Sequence, residues 1–375
     1  MLKRLPTILN ITMSSKSDFS SQMYDAIQKH GVDKLYKNIR TDVSCFDFNS
    51  NKIIATTTTD IYAGNCYVVS PFAMIINYSQ EELYKVKQKV LLPIAWLLIS
   101  VFSVILKVAR IDKIRILNNQ MLSTNFFETY WNDLDFKEIT IKQKRQFPKH
   151  ALAIRSLNEV QNKTITKKLQ EQNWIPIVTR QVYLFEKYDM QKRDIIRDMK
   201  LLQSSRYEFV EPDPNSLEYF QKAESLYNQL YLKKYTPENI QYTALYMQEM
   251  YRSGDLHLRL LLDTEANVLV GVVGIIGNNV ALTAPIVGYE LSRPANEALY
   301  RRCLIYIINY AASKQITLNL SSGAPDFKRN RGAQATIEYM YVYVKHLPIL
   351  LRITWWVLSK ISLHFYRPIL IRERL

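Results

Sequence analysis

The chain has 375 residues with 49 Lys and Arg against 34 Asp and Glu, so it carries a net charge of +15. Its 48 % of hydrophobic residues excludes a mainly disordered chain, and three cysteines exclude a disulfide framework. Five histidines without a zinc-ligand spacing predict no metal site, and only nine glycines argue against glycine-rich phosphate loops. The positive balance predicts an anionic partner.

The first half of the chain predicts a flexible arm followed by strands and one long apolar helix. Residues 1–20 form the arm, and residues 43–80, rich in β-branched and aromatic side chains, predict strands. Residues 81–110 predict a helix whose centre, 90–106, contains 17 uncharged residues in a row. This run includes Pro93 and is short for a membrane span, so we favour a buried helix or one that dips into a membrane face.

Further strands are predicted at residues 111–118, 151–157 and 175–185, where apolar side chains alternate or cluster. A basic amphipathic helix is predicted at 192–205, and the two prolines within residues 211–214 predict a linker.

Beyond the linker the order of elements resembles that of the first half. The predicted elements are helices at 216–232 and 237–253, strands at 256–262, 268–276 and 279–286, a helix at 295–314, and strands at 316–320 and 336–344. This order predicts two copies of one α/β unit, at residues 21–190 and 215–345, joined by the basic helix and linker of residues 191–214.

Three stretches of the second half carry a resemblance to a known family. They are residues 231–256, residues 267–311, and residues 318–344, which contain SSGAPDFKRNRGAQ. Phe327-Lys328 with Gly332, followed by an aromatic strand, resembles the pattern of GNAT-fold transferases, and specifically of the tandem, FemAB-like branch. The resemblance implies an α/β (α+β) fold of tandem GNAT-like units, each a mixed, mostly antiparallel sheet flanked by helices.

The resemblance also implies a reaction. GNAT-fold enzymes of this type move an acyl or aminoacyl group from an activated donor to an amine. The donor implied is an acyl-CoA, another acyl thioester or an aminoacyl-tRNA, and all three are anionic, as the charge of the chain requires. No sequence-specific nucleic-acid module is recognisable, so transfer RNA enters only as a co-substrate.

The segment before helix 295–314 departs from the acetyltransferase pattern. Ordinary GNAT enzymes hold the CoA pyrophosphate in a glycine-containing loop whose backbone N–H groups open a helix. Here the segment ELSRPANEALYRR contains no glycine and carries Pro294. The missing glycine loop favours the FemAB-like branch. It leaves open the alternative of a catalytically inactive GNAT-fold binding protein that no longer binds the donor.

The candidate residues of the second half lie in a basic loop and at a strand end. Tyr289 and Glu290 are the catalytic candidates, with Glu290 as a general base for the attacking amine. The loop offers cations and hydroxyls that suit a phosphate or carboxylate, and its predicted donor-binding residues are Ser321, Ser322, Lys328, Arg329 and Arg331. The alternatives are that Glu290 is an ordinary surface carboxylate and that the basic loop is only solvated and binds nothing.

The candidates of the first half follow a strand or lie within one. The amide and hydroxyl groups of Asn119, Ser123, Thr124 and Asn125 are predicted to bind a polar substrate, although the same residue types also form ordinary loops and caps. Arg155 lies inside an apolar strand, so its charge must be paired or face a wet cleft.

Residues 346–375 form a basic amphipathic C-terminal tail. Trp355 and Trp356 lie among aliphatic residues and cations, a composition typical of a helix on an anionic membrane surface. The alternative is a helix packed on the fold. We therefore expect a cytoplasmic protein that can attach peripherally to the inner face of the membrane. The alternative function is that of a membrane-surface enzyme acting on a lipid-linked or cell-envelope precursor.

Overall fold

The computed structural model describes residues 19–77 and 92–373. Most of the predicted arm and the first part of the predicted 81–110 helix therefore lie outside the described residues. Within the described residues the chain forms one sheet of eleven strands with helices on both faces, and cores of apolar side chains lie between the helices and the sheet.

The strands contain mainly the β-branched and aromatic runs that the sequence marks. In chain order they are β1 Asp42–Phe48, β2 Asn51–Thr58, β3 Ile114–Leu117, β4 Ala151–Asn158, β5 Ile175–Phe185, β6 Tyr207–Val210, β7 His257–Asp263, β8 Val268–Gly277, β9 Ala281–Tyr289, β10 Thr317–Asn319 and β11 Gln334–Tyr343.

The α-helices alternate with these strands. They are α1 Phe19–His30, α2 Val32–Leu35, α3 Leu92–Val108, α4 Phe136–Gln146, α5 Lys163–Glu171, α6 Arg193–Leu202, α7 Leu217–Asn228, α8 Ala244–Arg252, α9 Leu299–Lys314, α10 Pro325–Asn330, α11 Ile349–Ile361 and α12 Arg367–Glu373. Short π-helical turns continue α7 through Gln229–Tyr235 and join α11 to α12 through Ser362–Tyr366.

The strand order shows two similar halves that exchange a strand. Strands β1, β2 and β3 form an antiparallel group followed by the parallel pair β3–β4, and strands β7, β8 and β9 form a second group followed by the parallel pair β9–β10. The centre of the sheet runs β4-β11-β5-β10. Each half therefore sends its last strand to the other half, and β5 and β11 pair with each other in between.

The predicted fold class is confirmed: the chain is a mixed, mostly antiparallel α/β protein with a GNAT-like order of elements and a C-terminal helix. The unit boundaries stay a prediction. Because β5 and β11 cross between the halves, the contacts of the two units are interleaved along the chain.

The prediction of strands over 43–80 is wrong from residue 59 to residue 77, and residues 78–80 lie outside the described residues. The chain runs there as loop and turns and enters a π-helical turn at Ala73–Asn77. The buried carboxylate of Asp112 accepts hydrogen bonds from Ser70 Oγ at 2.5 Å and from the Phe72 N–H at 2.7 Å. These bonds satisfy the Ser70 hydroxyl and the Phe72 N–H without pairing to a neighbouring strand.

The predicted helix 237–253 begins later, at Ala244. Thr243 Oγ1 accepts the Tyr246 N–H at 3.2 Å, so this threonine is the N-cap. The predicted basic loop 321–332 also contains a helix, α10, which has Pro325 in its first turn.

The tail packs onto the fold through one side. Trp355 and Leu358 of α11 join the apolar core over β3, β4 and β11, and Leu370 of α12 joins the core on the opposite face of the sheet. The tail crosses between the faces along β5, where Ser359 Oγ donates to the Pro176 carbonyl and Ser362 Oγ accepts the Val178 N–H. Among the described residues, no helix combines the length and the apolar character needed to cross a membrane.

Candidate active site

A buried polar cluster fills the place where β3 and β4 part in the first half. The parallel pair ends at Leu117 and Ile154, and the chain after β3 turns back into the gap. Asn119 Oδ1 accepts a hydrogen bond from Arg155 at 3.0 Å, and Asn119 Nδ2 donates to the Val68 carbonyl at 2.8 Å. The predicted cleft residue Arg155 is therefore paired inside the protein, where burial lowers the pKa of its guanidinium.

An ion pair between the two exchanged strands adjoins this cluster. Arg180 of β5 and Glu338 of β11 face each other in register, with Nε and Oε1 2.8 Å apart. Arg180 also donates to the Ser123 carbonyl and to Thr124 Oγ1. Two of the predicted binding residues are thus held by a charged pair at the junction of the halves.

A small pocket of about 50 Å³ lies between the halves beside these residues. Asn125 and Ser156 line it from the first half, and Thr283 and Asn319 line it from the second. The buried atoms Asn125 Oδ1 and Asn319 Nδ2 have no hydrogen-bond partner among the residues that the structure describes, so each is available to a water or a ligand group.

The second half keeps an opening where β9 and β10 part. The two strands pair only from Ala281 to Thr283, whereas β9 continues to Tyr289 with β8 as its neighbour on the other side. The edge of β9 beyond Thr283 therefore presents backbone N–H and C=O groups that β10 does not take up. A carbonyl oxygen that gains negative charge in a reaction is stabilised by such donors.

Four tyrosines lie together around the end of β9: Tyr231, Tyr235, Tyr289 and Tyr300 interact with one another, and we call this group the tyrosine cleft. Burial, and after it their electrostatic interactions with neighbouring tyrosines, raise the pKa of Tyr300 and of Tyr231. Lys234 Nζ donates to the Tyr289 hydroxyl at 3.1 Å, and this bond raises the pKa of the lysine.

The tyrosine cleft connects to the polar cluster of the first half. Tyr231 interacts electrostatically with both Tyr67 and Arg180, and Tyr67 in turn lies beside Arg155, whose guanidinium is 5.8 Å from its ring centre. The candidate site therefore spans both halves. The predicted base Glu290 follows β9 directly, is half-buried, and donates its N–H to the Val270 carbonyl.

Lys328 holds the chain that follows β10. Its Nζ donates to the carbonyls of Leu320 at 2.7 Å and Ser322 at 2.8 Å, with the Ser321 carbonyl at 3.3 Å. Burial and the nearby charge of Arg180 lower the pKa of Lys328 to about 7.

Arg331, the third cation of the predicted loop, turns away from the opening. Its Nε donates to the fully buried carboxylate of Asp198 at 2.7 Å, and its Nη1 donates to the Phe327 carbonyl at 2.8 Å. Arg301 binds the same carboxylate. Arg331 thus joins α6 to α9 and α10, and this arrangement gives it a packing role.

Arg329 lines a larger pocket of about 400 Å³ beside the tail. Arg367 of α12 lines it too, together with Gln181, Thr336 and one carboxylate, that of Glu159. The guanidinium of Arg329 lies 5.3 Å from the ring centre of Tyr183, and its Nη1 is buried without a partner. We call this space the arginine pocket, and its two cations suit a phosphate or carboxylate.

Ion pairs hold the segment before α9. Arg293 and Arg206 both bind the buried carboxylate of Asp263, and both also contact Glu297. Hydrogen bonds from Arg206 lower the pKa of Asp263 to about 2. These cations are therefore neutralised by carboxylates of the chain itself, and the loss of the standard CoA loop stays a prediction from the sequence.

The structure thus brings several of the predicted residues together. Asn119, Arg155, Ser123, Thr124 and Asn125 share one polar cluster, while Ser321 and Ser322 contact Lys328. Their roles in binding stay predictions.

Sequence reasoning did not identify Arg180, Glu338 or Lys234. For the first two a signal existed, because an isolated charge inside an apolar strand, as in IPIVTRQVYLF and TIEYMYVYV, must be paired. That argument was applied only to Arg155.

Comparison with known proteins supports the fold. No family model and no curated protein matches the sequence. Among solved structures, FemX superposes with a TM-score of 0.53 at 9 % identity, covering 92 % of this chain and 99 % of FemX. L-PGS from Bacillus licheniformis superposes with a TM-score of 0.50 at 10 % identity, covering 91 % of this chain and 96 % of that one. The predicted likeness to GNAT-fold, FemAB-like proteins is confirmed at the level of the fold.

Proposed function

We propose that this protein transfers an acyl or aminoacyl group from an activated ester or thioester to an amine. The observation that carries the proposal is the opening between β9 and β10, where β10 does not pair with the part of β9 that leads to Tyr289 of the tyrosine cleft. The shared fold of FemX and L-PGS supports a transferase. The candidate donors of this reaction are an aminoacyl-tRNA, an acyl thioester and an acyl-CoA bound without the standard loop.

The chemistry follows from the groups at the opening. The amine nitrogen attacks the carbonyl carbon of the donor, a C–N bond forms, and the bond from that carbon to the leaving oxygen or sulfur breaks. Glu290 takes the proton of the amine, and Tyr289, oriented by Lys234, gives a proton to the leaving atom. The free N–H groups of β9 stabilise the carbonyl oxygen.

We place the anionic part of the donor in the arginine pocket. Arg329 and Arg367 carry its charge, whereas Lys328 and Arg331 are occupied by protein groups. Donor binding should therefore weaken when the two arginines are removed.

The test is a titration of the purified chain with charged tRNA, acetyl-CoA and an acyl pantetheine thioester at fixed ionic strength. We expect Arg329→Gln combined with Arg367→Gln to weaken binding of the preferred donor about tenfold or more, because each lost charge-assisted contact contributes about 1.5–3 kcal/mol. Arg145→Gln, which removes an exposed cation of α4, is the control. Equal affinity of all three proteins would contradict the assignment of the pocket.

A non-catalytic binding protein is the competing function. The ion pairs before α9 favour it, because they remove the site that most GNAT enzymes use. Donor binding without any transfer to amines would decide for this alternative.

A further inference from the structure

Two helices on the same face of the sheet leave their outer sides apolar. Leu106 of α3 and Trp355 of α11 are buried in one core over β3, β4 and β11, so both helices cover that face. On the outer side of α3, Leu97, Val104 and Val108 are 63, 60 and 67 % exposed. Their spacing of seven and four residues places them on one side of the helix.

The outer side of α11 has the same character. Ile349, Ile353 and Trp356 are 64, 50 and 54 % exposed and follow each other at helical spacing. We call the exposed sides of α3 and α11 together the apolar helix face. Large exposed apolar patches are rare on monomeric proteins and mark sites of interaction.

The charges that the two helices themselves carry have one sign. Lys107, Arg352 and Lys360 are exposed on the two helices, and Lys360 Nζ lies 5.6 Å from the ring of the outward-facing Trp356. The sequence contains no Asp or Glu from 92 to 111 or from 341 to 372. Arg110, at the end of α3, is paired with Asp60.

We propose that the apolar helix face docks on a lipid bilayer with anionic headgroups. Apolar and aromatic side chains would enter the interface while the lysines and arginines contact the headgroups. A second copy of this chain fits less well, because a two-fold contact would bring cations against cations. The inference does not depend on the reaction proposed above.

The test is flotation of the full chain with vesicles, one set of phosphatidylcholine alone and one set with about a third phosphatidylglycerol. We expect binding to the anionic vesicles only, and a reduction of about tenfold for Val104→Glu and for Ile353→Glu. The matched controls are Val268→Glu and Ile196→Glu, which change equally exposed residues elsewhere and should bind like the wild type. Circular dichroism of every variant checks that it is folded.

Trp356 gives a second readout. Quenching of tryptophan fluorescence by lipids with a spin label in the acyl chain should occur in the wild type and decrease in Trp356→Phe. The proposal is overturned if the wild type does not bind anionic vesicles, or if the control variants lose binding as strongly as the test variants. It is also overturned if sedimentation shows a dimer that Ile353→Glu dissociates, since the face would then bind a second copy.

Discussion

At the scale of single residues, the strongest interactions lie in buried ion pairs that the sequence does not mark as such. Asp198 is fully buried and is bound by Arg301 and Arg331, which come from α9 and from the turn after α10. Removing one member of such a set leaves the others charged and unpaired in the interior. This carboxylate therefore contributes more to stability than an exposed carboxylate of the same helix.

Asp198→Asn should lower the free energy of unfolding by about 3–5 kcal/mol, because the buried guanidinium of Arg331 and the partly exposed guanidinium of Arg301 lose their counter-charge. Asp194→Asn is the matched control on the same helix: its partner Arg197 is exposed, and their pair should contribute less than about 1 kcal/mol. Urea denaturation followed by circular dichroism measures both. A similar small effect of the two substitutions would contradict the role given to Asp198.

Lys328 predicts a dependence of stability on pH. Its pKa is lowered to about 7 in the folded protein against an ordinary value of 10.5. Between these values the unfolded chain binds a proton that the folded chain does not, so the free energy of unfolding should rise with pH from about 7 upward. Below pH 7 both states are protonated and the full penalty for burying the charge applies.

Lys328→Met removes the titrating group while keeping an unbranched side chain. The difference in unfolding free energy between the wild type and Lys328→Met should shift in favour of the wild type as the pH is raised from 6 to 9. Urea denaturation at each pH measures it. A difference that stays constant over this range would show that Lys328 titrates normally in the folded protein.

Residue-level reasoning from the sequence found the groups but not their partners. The isolated charge of Arg155 correctly indicated a paired or cleft residue, and the structure pairs it with Asn119. The dense cations of residues 328–331 looked alike in the sequence, yet only Arg329 keeps a buried donor without a partner. Partners such as Asp198 lie more than 100 residues away along the chain, beyond any local pattern.

At the scale of elements, the C-terminal segment has two sides with different roles. Its inner side fills the core and satisfies backbone groups of β5, and its outer side is exposed. Amphipathic periodicity predicted such a helix from the sequence. Which face of the sheet the helix covers could not be predicted. It depends on the edge of β5 before Leu184, which β10 leaves unpaired.

The adjacent tryptophans of α11 test this division. Trp355 is 1 % exposed and Trp356 is 54 % exposed. Trp355→Ala should destabilise the protein by about 3–5 kcal/mol through the lost burial and the cavity left behind. Trp356→Ala should change stability by less than about 0.5 kcal/mol, as surface substitutions do. The same urea titration compares them, and equal losses would mean that the outer side is also buried.

Element boundaries were predicted less well where hydrogen bonds from side chains to the backbone replace strand pairing or cap a helix. Where strands were expected after Thr58, Asp112 accepts hydrogen bonds from Ser70 and Phe72, and α8 starts at its Thr243 cap. Both effects involve single hydrogen bonds that propensity alone does not resolve.

At the scale of the whole molecule, strand exchange makes the two halves interdependent. Strand β11 lies between β4 and β5, and β5 lies between β11 and β10. The repeated order of elements in the sequence predicted two similar units. It did not predict the exchange, because pairing between strands so far apart in the chain leaves no local signal.

A chain that ends at residue 190 should therefore not fold alone. It would lack β11 and expose the edges of both β4 and β5, which invites aggregation. Size-exclusion chromatography and the cooperativity of unfolding measure this, with the full chain as the control. A soluble, cooperatively unfolding fragment would contradict interdependence and support two independent domains.

The central claim is that the opening between β9 and β10 carries out acyl or aminoacyl transfer to an amine. Its most direct test is to follow an isotope-labelled acyl group from charged tRNA, acyl-CoA or an acyl thioester onto amine acceptors by mass spectrometry. We predict a labelled amide product from at least one donor, formed more slowly by Tyr289→Phe although that variant still binds the donor. The absence of any labelled product from all three donor classes, with folded protein and a broad set of amines, would contradict the claim.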